Sequence, residues 1–300
     1  MAAITVTDLR KDYGMVSAVD GVSFSVDDGE VFALLGPNGA GKTTTVEILE
    51  GYRKASAGTI EVLGHDPARA EVAFRDRIGI VLQETGIEPT TTVREAISLY
   101  STYYRRRRPT DELVSLVGLD EKADARVKTL SGGQRRRLDL ALALVGDPDL
   151  IFLDEPTTGF DPSARRRSWS LVENLASLGK TILLTTHYLD EAQHLADRIA
   201  VLAGGSIVAE GTPESLVAAD PLTTIRFQAT EGAEPPRLGQ DMSREGAWIR
   251  FKTETPTQDL HRLTSWALDS GASLDHLEVN RASLEDVYLE IVGHEEGGTA

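Results

Sequence analysis

No cysteine occurs among the 300 residues. That excludes disulfides, thiolate metal sites and cysteine nucleophiles, and leaves the chemistry to oxygen and nitrogen groups. No apolar run approaches the roughly 20 residues that span a bilayer; the longest, Leu138 to Val145 and Leu150 to Leu153, read as core segments. Membrane contact is therefore expected to be peripheral or made through a partner. Met1 to Arg10 also lacks the apolar block of a secretory signal, so a cytoplasmic protein is expected. Net positive charge is missing too: the formal charge of −16 disfavours broad attraction to DNA, RNA or anionic lipid. Three arginine runs, Arg105 to Arg108, Arg135 to Arg137 and Arg165 to Arg167, read as solvated helix faces paired with an acidic surface. From Pro221 onward 14 acidic residues face 7 basic ones, so the tail offers no nucleic-acid footprint, and the shift helps to mark a boundary.

What is present is a strand pattern of two kinds. Ile4 to Leu9 and Val22 to Val26 alternate apolar and polar residues, and the Asp27-Asp28-Gly29 turn leads to a third strand at Val31 to Leu35, which predicts a small N-terminal antiparallel β subdomain feeding a buried strand. Buried-strand candidates recur at Thr59 to Leu63, Ile78 to Leu82, Leu150 to Leu153, Thr181 to Thr185 and Ile199 to Leu202. With helical patterns between several of them, they predict an α/β core with parallel strands at its centre. Between about residues 84 and 147 the strand signal vanishes. Helices are predicted there at Thr92 to Tyr104, Asp111 to Val117 and Gly132 to Val145, a helical insertion. Pro213 starts a short helix before the Asp220-Pro221 break, so a first domain is expected over 1–220. A small α+β domain is expected over 221–293, with a polar loop at Thr230 to Glu245, and 294–300 is expected to be a disordered tail.

Gly36-Pro37-Asn38-Gly39-Ala40-Gly41-Lys42-Thr43 fits G-x-x-x-x-G-K-[ST] between a strand and a helix predicted over Lys42 to Leu49. Glycines with φ > 0 let backbone N–H groups wrap phosphate oxygens, and the helix N-terminus favours negative charge. Each charge-assisted hydrogen bond contributes about 1.5–3 kcal/mol. Lys42 is expected to reach the β and γ phosphates of a nucleotide, Thr43 to place its hydroxyl on Mg²⁺, and Thr44 to close the loop. Downstream, the strand Leu150 to Leu153 ends in Asp154 and Glu155 and is stopped by Pro156. Asp154 would hold Mg²⁺ through its water shell. Glu155, one residue on, points elsewhere and would polarise the attacking water.

Leu130-Ser131-Gly132-Gly133-Gln134, lying 20 residues before Asp154, then identifies a family. It resembles the signature of ATP-binding cassette (ABC) proteins, and Ser131, Gly132 and Gly133 stand at a second helix start where an anion can bind. The resemblance implies the phosphate-loop NTPase core of an ABC ATPase, with ATP and Mg²⁺ as ligands. It also implies that each ATP lies between the loop of one copy and the signature of another, so that the working form is a dimer with itself or a similar subunit. Tyr13 resembles the aromatic residue that stacks on adenine, Gln83 the switch glutamine that contacts Mg²⁺ and water, His187 the histidine on the γ phosphate, and Asp161 the aspartate that joins the two sites. Phe160 departs from the leucine more usual before that aspartate.

Only 47 positions separate Gln83 from Ser131, which leaves no room for the long coiled coil of DNA-repair relatives, and the chain carries one cassette where translation factors usually carry two. The segments His187 to Ala192 and Ala282 to Glu290 look like bacterial exporter ATPases of the daunorubicin-resistance type. That likeness implies an ATPase subunit on the cytoplasmic face of the membrane, driving a separate transmembrane permease that exports drugs or other hydrophobic compounds. The competing reading is a soluble cassette ATPase acting on ribosomes or nucleic acid.

Overall fold

The computed structural model describes residues 2–69, 71–81, 86–218, 222–230, 234–281 and 283–289. Gln83 and the expected tail at 294–300 lie outside them. The chain divides into two compact units, Met1–Pro213 and Glu214–Ala300.

In the first unit, long alternating strands β1 (Ala2–Tyr13) and β2 (Val16–Asp27) form an antiparallel pair. Strand β3 (Val31–Leu35) is buried at every position and feeds α1 (Lys42–Leu49), the helix bounds that the loop motif predicts. The next strand, β4 (Ala57–Val62), corrects an expectation. It is not a buried strand of the central sheet but pairs antiparallel with β1, giving the order β2-β1-β4, and most of its residues are exposed. Its alternating Thr-Ile-Glu-Val stretch suits a sheet with one wet face.

A short α2 (Val72–Arg75) precedes β5 (Ile78–Val81). The helical insertion follows as α3 (Val93–Ser101), α4 (Thr110–Leu116) and α5 (Gly132–Ala143). α3 starts where Thr92 and Glu95 close a capping box, which satisfies two orphan N–H donors. The chain then alternates strand and helix: β6 (Leu150–Asp154), α6 (Pro162–Ser177), β7 (Thr181–Thr186), α7 (Leu189–Leu195) and β8 (Arg198–Ala203), closed by β9 (Ser206–Gly211). The central sheet runs β5-β6-β7-β3-β8-β9, parallel except for the antiparallel edge β9, which the periodicity did not reveal. Phe24 of β2 stacks on Phe32 of β3 at 5.2 Å, locking the two sheets together in one apolar core. The strand order places the C-terminal ends of β3, β6 and β7 side by side, where an open α/β sheet binds ligands.

The second unit opens with α8 (Pro213–Ala218), which begins at the division itself. Its sheet, in the order β11-β12-β10-β13, is built from β10 (Thr223–Ala229), β11 (Gln240–Glu245), β12 (Trp248–Thr253) and β13 (Leu274–Arg281). Helix α9 (Pro256–Ser270) supplies Leu263 to the core of Ile225, Phe227, Ile249 and Phe251. A last helix is described over 284–289. Strand β11 lies inside the segment expected to be a polar loop.

Candidate active site

At the end of β3 the chain turns through Gly36 to Gly41, with Gly39 and Gly41 at φ 84° and 99°. A Cβ on Gly41 would overlap the Ala18 carbonyl and one on Gly36 the Leu202 carbonyl, so neighbouring backbone as well as φ demands glycine at Gly41. α1 carries no side-chain N-cap, which leaves an anion as a fitting partner for its leading N–H groups. Pro37, Asn38 and Ala40 fill the turn, where the Ala40 N–H donates to the Pro37 carbonyl at 3.2 Å. Lys42, only 5% exposed, curls back along the loop; its Nζ donates to the carbonyls of Gly36 at 2.8 Å and Pro37 at 3.1 Å. Thr44, half-buried, follows Thr43 in the first turn.

Strand β6 aims its last residues at this loop. The Thr185 hydroxyl of neighbouring β7 donates to Asp154 Oδ1, because the parallel register sets Asp154 opposite Thr185. The Thr43 hydroxyl also interacts with the Asp154 carboxyl. Burial pushes that carboxyl up and Glu155 adds to the effect, while Thr185, Lys42 and Thr43 pull it back. Beyond α1, Glu50 is pushed up to about 8 by burial first and then by Asp154 and Glu47. At neutral pH it is therefore largely protonated and adds little negative charge beneath the site.

Glu155 sits at φ 44°, a left-handed conformation uncommon for a residue with a side chain. Its N–H is held by the Thr185 carbonyl at 3.2 Å and hydroxyl at 3.0 Å, which over-determines the strained turn. The carboxylate has three neighbours: Thr158 Oγ1 donates to Oε2 at 3.0 Å, His187 Nδ1 lies 3.2 Å from Oε1, and Lys42 Nζ lies 3.7 Å from the same oxygen. Burial lowers the Lys42 pKa, and Glu155 and Asp154 oppose that shift. Lys42, Thr43, Asp154, Glu155 and His187 thus meet in one cluster, although 144 positions separate Lys42 from His187.

The remaining expected residues stand elsewhere. Ser131 caps α5, with its hydroxyl accepting from the Gln134 N–H at 3.3 Å and its own N–H donating to Gln134 Oε1 at 2.9 Å. A Cβ on Gly132 or Gly133 would meet nothing within 4 Å, so packing within the chain does not require glycine at either position. Both line a groove of about 580 Å³ with Glu155, Thr158, Gly159 and Asp161. Asp161 is the N-cap of α6, accepting from the N–H groups of Ser163 and Ala164 at 2.9 Å each. Those backbone bonds, the Ala164 one first, hold its pKa below the ordinary value. Tyr13 ends β1 on the hairpin whose Ala18 abuts the phosphate loop, half-open and flanked by Lys11 and Arg53 at 5.2 and 5.5 Å. Gln83 falls outside the described residues.

Thr185, Thr158 and Arg136 belong to the site yet were not singled out from the sequence. Two polar residues, Thr185 and Thr186, directly after the apolar run Ile182 to Leu184 were the available signal for the first. Arg136 corrects the reading of its run as solvated: it is half-buried and donates to the carbonyls of Asp154 and Pro156 at 3.3 Å each, tying α5 to the end of β6. Burial lowers its pKa against the attraction of Asp139, Asp154 and Glu191. Arg137 likewise turns to the Gly118 carbonyl at 2.6 Å. Both side chains thus bond to backbone carbonyls beside α5. The other two runs also depart from solvated helix faces: 105–108 lies between α3 and α4, where Arg106 and the half-buried Arg108 pair with Asp147, and Arg165, half-buried on α6, pairs with the exposed Asp190.

Comparison with known proteins adds independent findings. Residues 19–158 match the family model for ABC transporters, and residues 223–283 match the model for the C-terminal domain of ABC transporter domain-containing protein-like chains. The Nod factor export ATP-binding protein I of Paraburkholderia xenovorans is 42% identical over 308 residues, covering 98% of each chain. Its namesake in Ralstonia nicotianae is 45% identical over 97% of this chain and 94% of that protein. Among solved structures, the ATP-binding subunit of an ABC transporter aligns with TM-score 0.64 and 27% identity, over 72% of this chain and 92% of that one. A dimeric ATP-binding cassette in a post-hydrolysis state with ADP and Pi aligns with TM-score 0.63 and 26% identity, over 70% and 98%.

Proposed function

We propose, from the premise that this chain belongs to the ATP-binding subunits of ABC transporters, that it powers export through a separate transmembrane permease. The chain is an ATPase whose hydrolysis is coupled to transport. Among the described residues no helix is long and apolar enough to cross a membrane. The transport path would accordingly lie in another chain, with this one docked on the cytoplasmic face of the membrane.

The observation that carries the reading is the convergence of Lys42, Asp154, Glu155 and His187 at the ends of β3, β6 and β7. Backbone N–H groups of Gly39 to Thr44 and the Lys42 amine would hold the β and γ phosphates, trading Lys42's present carbonyl partners for phosphate oxygens. A hydroxyl and a half-buried carboxylate brought together, Thr43 and Asp154, form a donor set that suits a hard divalent cation such as Mg²⁺. Bound there, the ion would neutralise phosphate charge, and Gln83 would complete its surroundings. Glu155 would take a proton from the attacking water as general base, aimed by Thr158 and by His187. His187 would also meet the γ phosphate, and Tyr13 would stack on the adenine.

The open space over Gly132 and Gly133 fits close approach by a second copy or a similar subunit, whose nucleotide Ser131 to Gln134 would contact. Asp161 would then serve that interface while capping α6. The relatives named for Nod factor export support export as the direction, and drugs or other hydrophobic compounds are the proposed cargo. A soluble role on ribosomes or nucleic acid has no comparable support. Replacing Glu155 with Gln tests the centre of this reading. ATP binding should persist while turnover falls by about 10²–10⁴-fold, measured as phosphate release; unchanged hydrolysis would remove Glu155 from its role.

A further inference from the structure

We propose that Glu191 is a positioning residue for ATP hydrolysis, tying the loop that follows Glu155 to the turn that carries His187. The proposal rests on the assignment of those two residues to catalysis. Glu191 lies on α7 and is 0% exposed, a placement that carboxyl groups almost never adopt unless paired. Trp169 of α6 donates its indole N–H to Glu191 Oε1 at 3.2 Å. The hydroxyls of Thr157 and Thr186 lie beside the same carboxyl.

Those two threonines flank the catalytic pair. Thr157 comes two residues after Glu155 and just before Thr158, whose hydroxyl holds Glu155 Oε2. Thr186 immediately precedes His187, and its hydroxyl accepts the N–H of Tyr188 at 3.0 Å. The Tyr188 ring packs on the His187 ring at 4.1 Å and under the Arg165 guanidinium at 4.2 Å. Glu191 therefore touches a residue two positions after Glu155 and the residue just before His187, and Trp169 anchors it to the helix that Asp161 caps.

The network is only partly closed. Neither Thr157 Oγ1 nor Glu191 Oε2 makes a hydrogen bond of normal length among the described residues, although both are buried and near one another. Buried polar atoms left unpaired are costly, and a side chain needed only to fill this space would be better apolar. An open donor–acceptor pair beneath the loop lets that loop shift toward α7 and gain a hydrogen bond as it does so. Burial pushes the Glu191 carboxyl up, while Thr186, Thr157, Trp169 and the Arg165 charge pull it back.

Steady-state ATPase kinetics of the full chain test the proposal with Glu191→Ala, Glu191→Gln, Thr157→Val and, in parallel, Glu155→Gln. Glu191→Ala should lower kcat by about 10–100-fold with little change in KM for ATP, because binding groups are untouched. Glu191→Gln, which keeps the size and the oxygen that accepts from Trp169, should restore most of kcat, and Thr157→Val should reproduce part of the loss. A folded Glu191→Ala with unchanged kcat overturns the proposal, as does a Glu191→Gln no better than Ala. If the Ala variant fails to fold, Thr157→Val decides: a loss of kcat at constant KM supports the role and an unchanged kcat overturns it. Normal turnover by Glu155→Gln would refute the underlying catalytic reading, whereas an inactive Glu155→Gln beside a fully active Glu191→Ala refutes this inference alone.

Discussion

Gly41 shows how much one missing methyl decides. At φ 99° and against the Ala18 carbonyl, alanine would be strained twice, by its own backbone and by a neighbour that belongs to the β1–β2 hairpin. Gly41→Ala should cost about 1–3 kcal/mol, read as a lower denaturant midpoint, and should weaken ATP binding as the loop moves; an unshifted midpoint with full binding would contradict this. Gly132 and Gly133 are glycines of another kind, since nothing in the chain crowds them. The sequence presents both kinds identically. The motif alone revealed where the phosphate loop lies, because its residues are consecutive. It did not reveal that Glu155 occupies a left-handed conformation, which depends on Thr185 holding its N–H from another strand.

At the scale of the element, local chemistry explains most boundaries. The bounds of α1 follow from the loop that opens it, α3 and α5 start at capping boxes, and α6 starts where Asp161 caps it ahead of Pro162 at the first turn. This cap gives Asp161 a role within one chain beside the interfacial one proposed for it. Asp161→Ala should cost about 1 kcal/mol of stability, whereas Asp161→Asn, an equally good cap, should leave stability nearly unchanged. If Asn nonetheless lowers turnover, the charge acts beyond the helix; if both variants retain full turnover, Asp161 is a cap alone. Thermal melts beside phosphate-release assays separate these cases. Strands β9 and β11 escaped the sequence pattern because neither has a clean apolar face. For β11 a signal existed in Gly246-Ala247, which joins Glu245 directly to its partner Trp248 with Gly246 at φ 62°, a two-residue hairpin turn.

At the scale of the molecule, two separate cores predict separable units. The first gathers residues from Ile4 to Leu202 and the second those from Ile225 to Leu263, and every described site residue lies in the first unit. A chain ending at Asp220 should therefore fold and bind ATP with a Kd within a factor of about 3 of the full protein, a shift under 1 kcal/mol. Loss of ATP binding in a truncated chain with an intact circular-dichroism spectrum would refute that independence.

By itself the sequence determined the alternation of strand and helix, the phosphate loop and the Asp154-Glu155 strand end. Each depends on residues within a few positions of one another, where backbone sterics and hydrogen bonding act directly. Only the tertiary structure decided that Thr185 would face Asp154, that Arg136 would turn inward from a basic run, and that Glu191 would lie buried between Thr157 and Thr186. Those relations cross strands and helices far apart in the chain. Sheet register and core packing set them, and neither is written in any local stretch of residues.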